Sequence, residues 1–225
     1  MDPNPLRVSS LEVVDEQGAV RARLGTRPDG SLALELAGAD GTLRVTLGVG
    51  PDGTAVLGLR DDDGGVRAAL GVWAEGLAGL QLFDGEQRKR VAVSQGEGAP
   101  SGLLVWDEES RRRAVVGHGP EPERAASAEF WDGEGWYRAG YGTWPDGSTG
   151  AEVLDDHGRV RARLGERPDR TAAAELWDAR GSLRARLGDR PDGAATLDFW
   201  DRDGTYRAGL GSPAPGQVVP GEDSA

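Results

Sequence analysis

From Leu11 to Gly211 the chain runs in short bursts of alternating apolar and polar residues, broken by Asp-x-x-Gly and Pro-Asp-Gly. The bursts recur. Copies of one motif begin at Leu11, Leu34, Leu57, Leu80, Leu103, Ala128, Ala151, Ala174 and Leu197. They are 23 residues apart, except for a step of 25 from Leu103 to Ala128. Within a copy, numbered from 1, positions 1 and 3 are apolar or small in all nine. Position 5 is Asp except at Gly38, and position 8 is Gly except at Gln87 and Ser110. Position 11 is arginine in every copy: Arg21, Arg44, Arg67, Arg90, Arg113, Arg138, Arg161, Arg184 and Arg207. Position 12 is Ala or Val, position 14 is Leu, Val or Tyr, and position 15 is Gly except at Ser94.

A period of two marks strands. Asp-x-x-Gly between two such runs is a tight turn, because Asp can cap its own backbone and Gly accepts positive φ. Pro-Asp-Gly, or Pro168-Asp169-Arg170, turns the chain at the other end of the copy. Each copy therefore reads as a β-hairpin, and frequent glycine argues against helix. Stacking the copies as a two-sheet β-solenoid would line nine arginines into a like-charge column. A meander avoids this. Opposing position 3 with 10 and position 1 with 12 would set the acidic residues of position 2, such as Glu35 and Glu175, against the arginine of position 11. The expected fold is all-β: nine hairpin repeats in an antiparallel meander, closed or curled over one apolar face. A β-propeller ranks lower, since four-stranded blades take two copies each and nine is odd. In this reading the Leu/Ala face is inward and the Glu–Arg–Trp face outward.

Composition narrows the functional classes. Only 37% of residues are hydrophobic, which suits one thin apolar layer better than a thick core. A net charge of −12 argues against a nucleic-acid binder. No cysteine is present, so disulfides and thiolate chemistry are excluded. Met1-Asp2-Pro3-Asn4-Pro5 has neither the basic nor the apolar part of a signal peptide, and no stretch reaches the length of a membrane span. A cytoplasmic location is the default expectation. Lys89 is the sole lysine among 26 basic residues, which with the abundant Ala, Gly and Pro suggests a GC-rich bacterial gene.

Segments such as Leu11–Gly30 and Ala174–Gly193 resemble a tandem β-hairpin repeat of bacterial proteins of uncharacterised function, with units near L-x-L-x-D-x-x-G-x-x-R-A-x-L-G. The resemblance covers 11–211 and implies a β-rich scaffold with no catalytic residues. The rhythm is also similar to YD (Rhs-type) and MORN repeats, without the YD dipeptide or the MORN glycine pattern, so neither family's function carries over.

Two departures from the repeat are candidate sites. Copies four and five, irregular over 80–127, carry Arg88, Lys89, Arg90 and Arg111, Arg112, Arg113. Lys89 and Arg112 stand at position 10, expected to face inward, so the apolar layer would be interrupted there. The six form a candidate site for phosphate, an acidic glycan or an acidic partner; equally, their charges could simply reach solvent. The second candidate is Trp106, Trp131, Trp177 and Trp200 at position 4, able to stack on sugar rings or to pack under arginines. Trp73 and Trp144 read as turn packing. No metal or cofactor is expected: the Asp-rich turns lack the distal glutamate of a calcium loop, and His118 and His157 have no partner in sequence. Residues 1–10 are expected to lead in, with Leu6–Ser10 as a possible extra strand, and 212–225 to be a disordered tail. The functional expectation is a non-catalytic β-repeat scaffold for protein or self-association. A carbohydrate- or anion-binding module is the alternative.

Overall fold

The computed structural model describes residues 7–96, 99–118, 126–144 and 146–211. The expected tail at 212–225, Leu6 of the lead-in, and 119–125 lie outside the described residues. Among the described residues the fold is all-β, eighteen antiparallel strands in a chain-order meander, and the chain divides into two compact units, 1–111 and 112–225. The first unit holds β1 (Ser10–Val14), β2 (Val20–Thr26), β3 (Leu32–Ala37), β4 (Leu43–Val49), β5 (Ala55–Arg60), β6 (Val66–Val72), β7 (Ala78–Phe83), β8 (Lys89–Gly96) and β9 (Ala99–Trp106). The second holds β10 (Arg112–His118), β11 (Ala126–Trp131), β12 (Tyr137–Thr143), β13 (Thr149–Leu154), β14 (Val160–Glu166), β15 (Ala172–Trp177), β16 (Leu183–Asp189), β17 (Ala195–Trp200) and β18 (Tyr206–Gly211). Within each unit every strand pairs with its sequence neighbours, and neither unit closes into a barrel. β1 begins at Ser10, opposite Gly25, and Arg7–Ser9 add no strand before it.

The turns follow the sequence logic. In the first hairpin the Asp15 Oδ1 atom accepts from the N–H groups of Gln17 at 3.1 Å and Ala19 at 2.9 Å. The Gly18 N–H closes the turn on the Asp15 carbonyl at 3.0 Å, with φ at +81°. Gln87 and Ser110, which replace this glycine, take the same left-handed conformation at φ 63° and 61°. The backbone geometry therefore outranks residue preference at these two turns.

The register departs from the sequence expectation. Position 3 opposes 12, not 10, and position 1 opposes 14: Leu176 faces Ala185 and Ala174 faces Leu187. Between Leu176 and Trp177 the partner steps from Ala185 to Leu183, so Arg184 is the extra residue of a β-bulge. The same bulge falls on the position-11 arginine in every hairpin that lies within one unit. A bulge flips the side-chain alternation. Position 10 therefore shares a face with position 4 and with the acidic residues of position 2, and Lys89 and Arg112 are not on the apolar face.

The burial of the two faces is the reverse of the expectation. Position 14 is exposed in all nine copies, from Leu24 at 43% to Leu210 at 73%. On the opposite face lie the buried residues, among them Ala33, Ala92 and Ala173, and also the carboxylates Glu175 and Asp198, each 3% exposed. The cause is side-chain length. Over the carboxylates, Arg167 and Arg186 reach Glu175 and Arg190 reaches Asp198, so long arginine side chains cover the acids. The leucines have no second layer above them. The position-15 glycines Gly71, Gly142, Gly165, Gly188 and Gly211 sit where neighbouring strands approach too closely for a side chain: a Cβ at Gly165 would stand 2.1 Å from the Thr149 carbonyl oxygen. Where that position is Ser94, both cross-strand partners, Gly79 and Gly102, are glycine instead.

Candidate functional site

The candidate basic residues are already engaged. The Arg88 Nε atom donates to Asp84 at 2.9 Å and its Nη1 reaches Glu86 at 2.8 Å. Arg111 repeats this on Asp107 at 3.0 Å and Glu109 at 2.7 Å. These contacts raise both arginine pKa values above the ordinary guanidinium range, hydrogen bonding to the aspartate being the main cause. Arg159 makes the same contact with Asp155, so the arrangement is not peculiar to copies four and five. Arg88, Lys89, Arg90 and Arg111 belong to the first unit, Arg112 and Arg113 to the second.

Arg90 and Arg113 belong to a different device, the clamp made by position 11. Their Nε atoms each donate at 3.1 Å to a backbone carbonyl of the following copy, those of Trp106 and Trp131. Arg21, Arg67, Arg138, Arg161 and Arg184 do likewise, to Ala37, Phe83, Leu154, Trp177 and Trp200. The same guanidinium contacts the turn aspartate of its own copy, as Arg138 does Asp132 at 3.1 Å. Arg44, whose copy has Gly38 at position 5, turns to Asp40 and Asp62 instead. The repeated arginine thus ties each turn to the next hairpin. It does not pair with position 2, as the sequence register had implied.

The position-2 carboxylates stand opposite position 13, and pair with it where it is arginine. Glu175 stands between Arg163 and Arg186, and Glu152 accepts from Arg163 at 3.0 Å. A second arginine, at position 17 of the preceding copy, closes over them: Arg27 onto Glu35, Arg167 onto Glu175, Arg190 onto Asp198. Sequence reasoning missed this pairing, although a signal was present, since each position-17 arginine precedes an acidic position 2.

The tryptophans are half-buried on this charged face. The Lys89 Nζ atom lies 5.9 Å from the Trp106 ring and the Arg112 guanidinium 5.3 Å from Trp131. Trp131 and Trp200 meet Tyr137 and Tyr206 edge to face at 5.9 and 6.0 Å. Trp144, at a turn, packs against Arg163 at 5.7 Å.

Several turn aspartates are held as anions. In Asp15, Asp155 and Asp178 the N–H of position 9 is the main cause of a lowered pKa. In Asp84, burial pulls upward but is outweighed by the Arg88 N–H and guanidinium, and the carboxyl falls to about 2. Groups held ionised in this way are poor general acids. Asp155, Asp156 and His157 place ligand atoms within 4.8 Å of one another, the one such trio among the described residues, and it sits in an exposed turn. Its Asp155 Oδ1 is already taken by backbone N–H groups of that turn.

No family model and no curated protein matches the chain. Function must be read from surfaces. On the charged face of the first unit, a hollow of about 300 Å³ is bordered by Thr46, Gly48, Gly58 and Arg60, where Gly58 replaces the usual acid of position 2. The Thr46 Oγ1 and Arg60 Nε atoms are buried there without hydrogen-bond partners. The larger feature is the opposite face. No copy puts a charged residue at positions 1, 3, 12 or 14. Those positions carry most of the exposed large apolar side chains, including Leu47 at 52%, Leu70 at 53% and Leu164 at 64%. No helix among the described residues is long and apolar enough to cross a membrane.

Proposed function

We propose that the chain is a non-catalytic β-repeat scaffold whose uncharged leucine face is a surface for association. The observation that carries this is the exposure of position 14 in all nine copies. Single exposed leucines are ordinary, but contiguous apolar patches beyond a few hundred Å² mark interaction surfaces. The charged face supports the same reading from the other side. Glu35, Glu175 and Asp198 are held there by arginines of the preceding turn, which brace the hairpin array. The anion- or glycan-binding alternative, through Arg88, Lys89, Arg90, Arg111, Arg112 and Arg113 or through the four tryptophans, ranks second. Arg88 and Arg111 are engaged by carboxylates, and Trp106, Trp131 and Trp200 by cations or rings.

The test separates a docking face from a hydrophobic core. Leu47→Glu combined with Leu70→Glu places two charges at positions about half exposed. As surface substitutions they should each change stability by no more than about 0.5 kcal/mol. Circular dichroism at sub-micromolar concentration should show an intact β spectrum and a nearly unchanged melting temperature. Global unfolding of this variant would mean that the face is core, and the reading would fall.

A further inference from the structure

The leucine face of the second unit differs from that of the first in one regular way. Across the sheet, position 1 opposes position 14 of both neighbouring strands, so the two positions form a single row. In the first unit the row is large throughout: Leu24, Leu34, Leu47, Leu57, Leu70, Leu80. In the second unit it alternates over β10 to β16, Val116, Ala128, Tyr141, Ala151, Leu164, Ala174 and Leu187, and ends on two large residues, Leu197 and Leu210. The large members are among the most exposed apolar side chains of the chain, Tyr141 at 68%, Leu164 at 64% and Leu187 at 59%. Over β10 to β16, knobs and holes therefore repeat every two strands, about 10 Å.

We infer that this row is the interface of a two-fold dimer of the chain, its knobs seated in the alanine holes of a second copy. The inference rests on the reading of the leucine face as an association surface, and it names the partner. A two-fold axis parallel to the strands, between Ala151 and Leu164, solves the packing in one step. It sets Leu164 over Ala151 of the partner subunit, Tyr141 over Ala174 of the partner subunit, and Leu187 over Ala128 of the partner subunit; at the rim Val116 meets Leu197 of the partner subunit, the one large-on-large contact of the row. The exchange is reciprocal, as a closed two-fold interface requires. It is also the interdigitation by which two sheets pack face to face.

Three further facts select a second copy over an unrelated protein. A surface with this pitch and this alternation is one the chain itself supplies. The net charge of −12 would repel a copy approaching by most surfaces, whereas positions 1, 3, 12 and 14 carry no charge at all. The area is also sufficient. About this axis eight strands, β10 to β17, overlap; at about 4.8 Å each, with roughly 13 Å of apolar length along each, they project some 500 Å² per copy. Two copies together then reach the ~1,000 Å² that a specific interface needs.

Sedimentation equilibrium of the full chain at tens of micromolar tests this. The expected mass is twice that of the chain. Leu164→Glu with Leu187→Glu should weaken the dimer by more than a hundredfold and leave a folded monomer by circular dichroism. Ala151→Leu with Ala174→Leu fills the holes while keeping the face apolar, and should weaken it by more than tenfold. The fold accepts leucine there, since Leu34, Leu57 and Leu80 occupy the equivalent position. Leu47→Glu with Leu70→Glu, on the other unit, should leave the dimer intact. A monomer at all concentrations would overturn the inference, as would a dimer indifferent to the filled holes. Either result leaves the wider scaffold reading standing, because that reading fails only if the charged first-unit variant unfolds.

Discussion

Arg184→Ala removes one clamp of the array, and its cost follows from the geometry. The side chain is 39% exposed; its Nε donates to the Trp200 carbonyl at 2.9 Å, and its Nη1 lies 3.5 Å from Asp178. A hydrogen bond from a charged donor is worth about 1.5–3 kcal/mol. The partly exposed ion pair adds about 0–1 kcal/mol. Alanine also removes this donor from the Trp200 carbonyl, at the bulged end of the β17–β18 ladder. The expected loss is about 2–3 kcal/mol, or roughly 5–10 °C in melting temperature for a chain of this size. Thermal unfolding followed by far-ultraviolet circular dichroism reads the total. Hydrogen exchange reads its location, and protection should fall first in β15 to β18, because a repeat array loses stability next to the damaged interface. Arg184→Lys should recover little, since one ammonium cannot span the carbonyl and the carboxylate as the guanidinium fork does. Arg180→Ala, in the adjoining turn, is the matched control. A melting temperature for Arg184→Ala within a degree of the Arg180→Ala value would refute the clamp.

Three more outcomes follow from the turns and crossings. Ser110→Gly should raise stability by about 1 kcal/mol in denaturant melts, because the serine holds φ 61° where glycine carries no steric cost; a destabilised variant would count against that turn geometry. Gly165→Ala should cost several kcal/mol, about 3 or more, because its Cβ would overlap the Thr149 carbonyl; tolerance by chemical denaturation would contradict the close crossing. The lowered aspartates contribute stability that is present above the unfolded carboxylate pKa and is lost as pH falls through the folded value, about 2 for Asp84. The melting temperature should hold steady at neutral pH and fall steeply between about pH 4 and pH 2, with Asp84→Asn shallower than wild type; a flat acid limb would contradict the turn assignment.

Much of the fold was legible in the sequence. Copy boundaries, both turn types and the antiparallel meander came from Asp-x-x-Gly, Pro-Asp-Gly and the period of two. The bulge was not legible, because an extra residue leaves no mark on a pattern already broken by polar residues. Missing it at Arg184 and its equivalents inverted the rest. It placed Lys89 and Arg112 on the apolar face, and it paired position 2 with the wrong arginine. The direction of burial was misread for another reason. A row of leucines was expected to be covered, whereas in a single layer the long arginines do the covering, over Glu175 and Asp198. The choice of a meander survived, although the ion pairs that favoured it run through Arg23, Arg163 and Arg186. The pairing of Arg27, Arg167 and Arg190 with Glu35, Glu175 and Asp198 could have been found from the sequence, by comparing position 17 of one copy with position 2 of the next.

Which face of the sheet meets solvent is the claim on which the functional reading depends. Carbene footprinting of the full chain, diluted below the concentration of any self-association and read by mass spectrometry, measures it directly. The expected result is strong labelling at Leu47, Leu70, Leu164 and Leu187, and protection at Ala33, Ala92, Ala173, Glu175 and Asp198. Protected leucines with labelled alanines and carboxylates would contradict it.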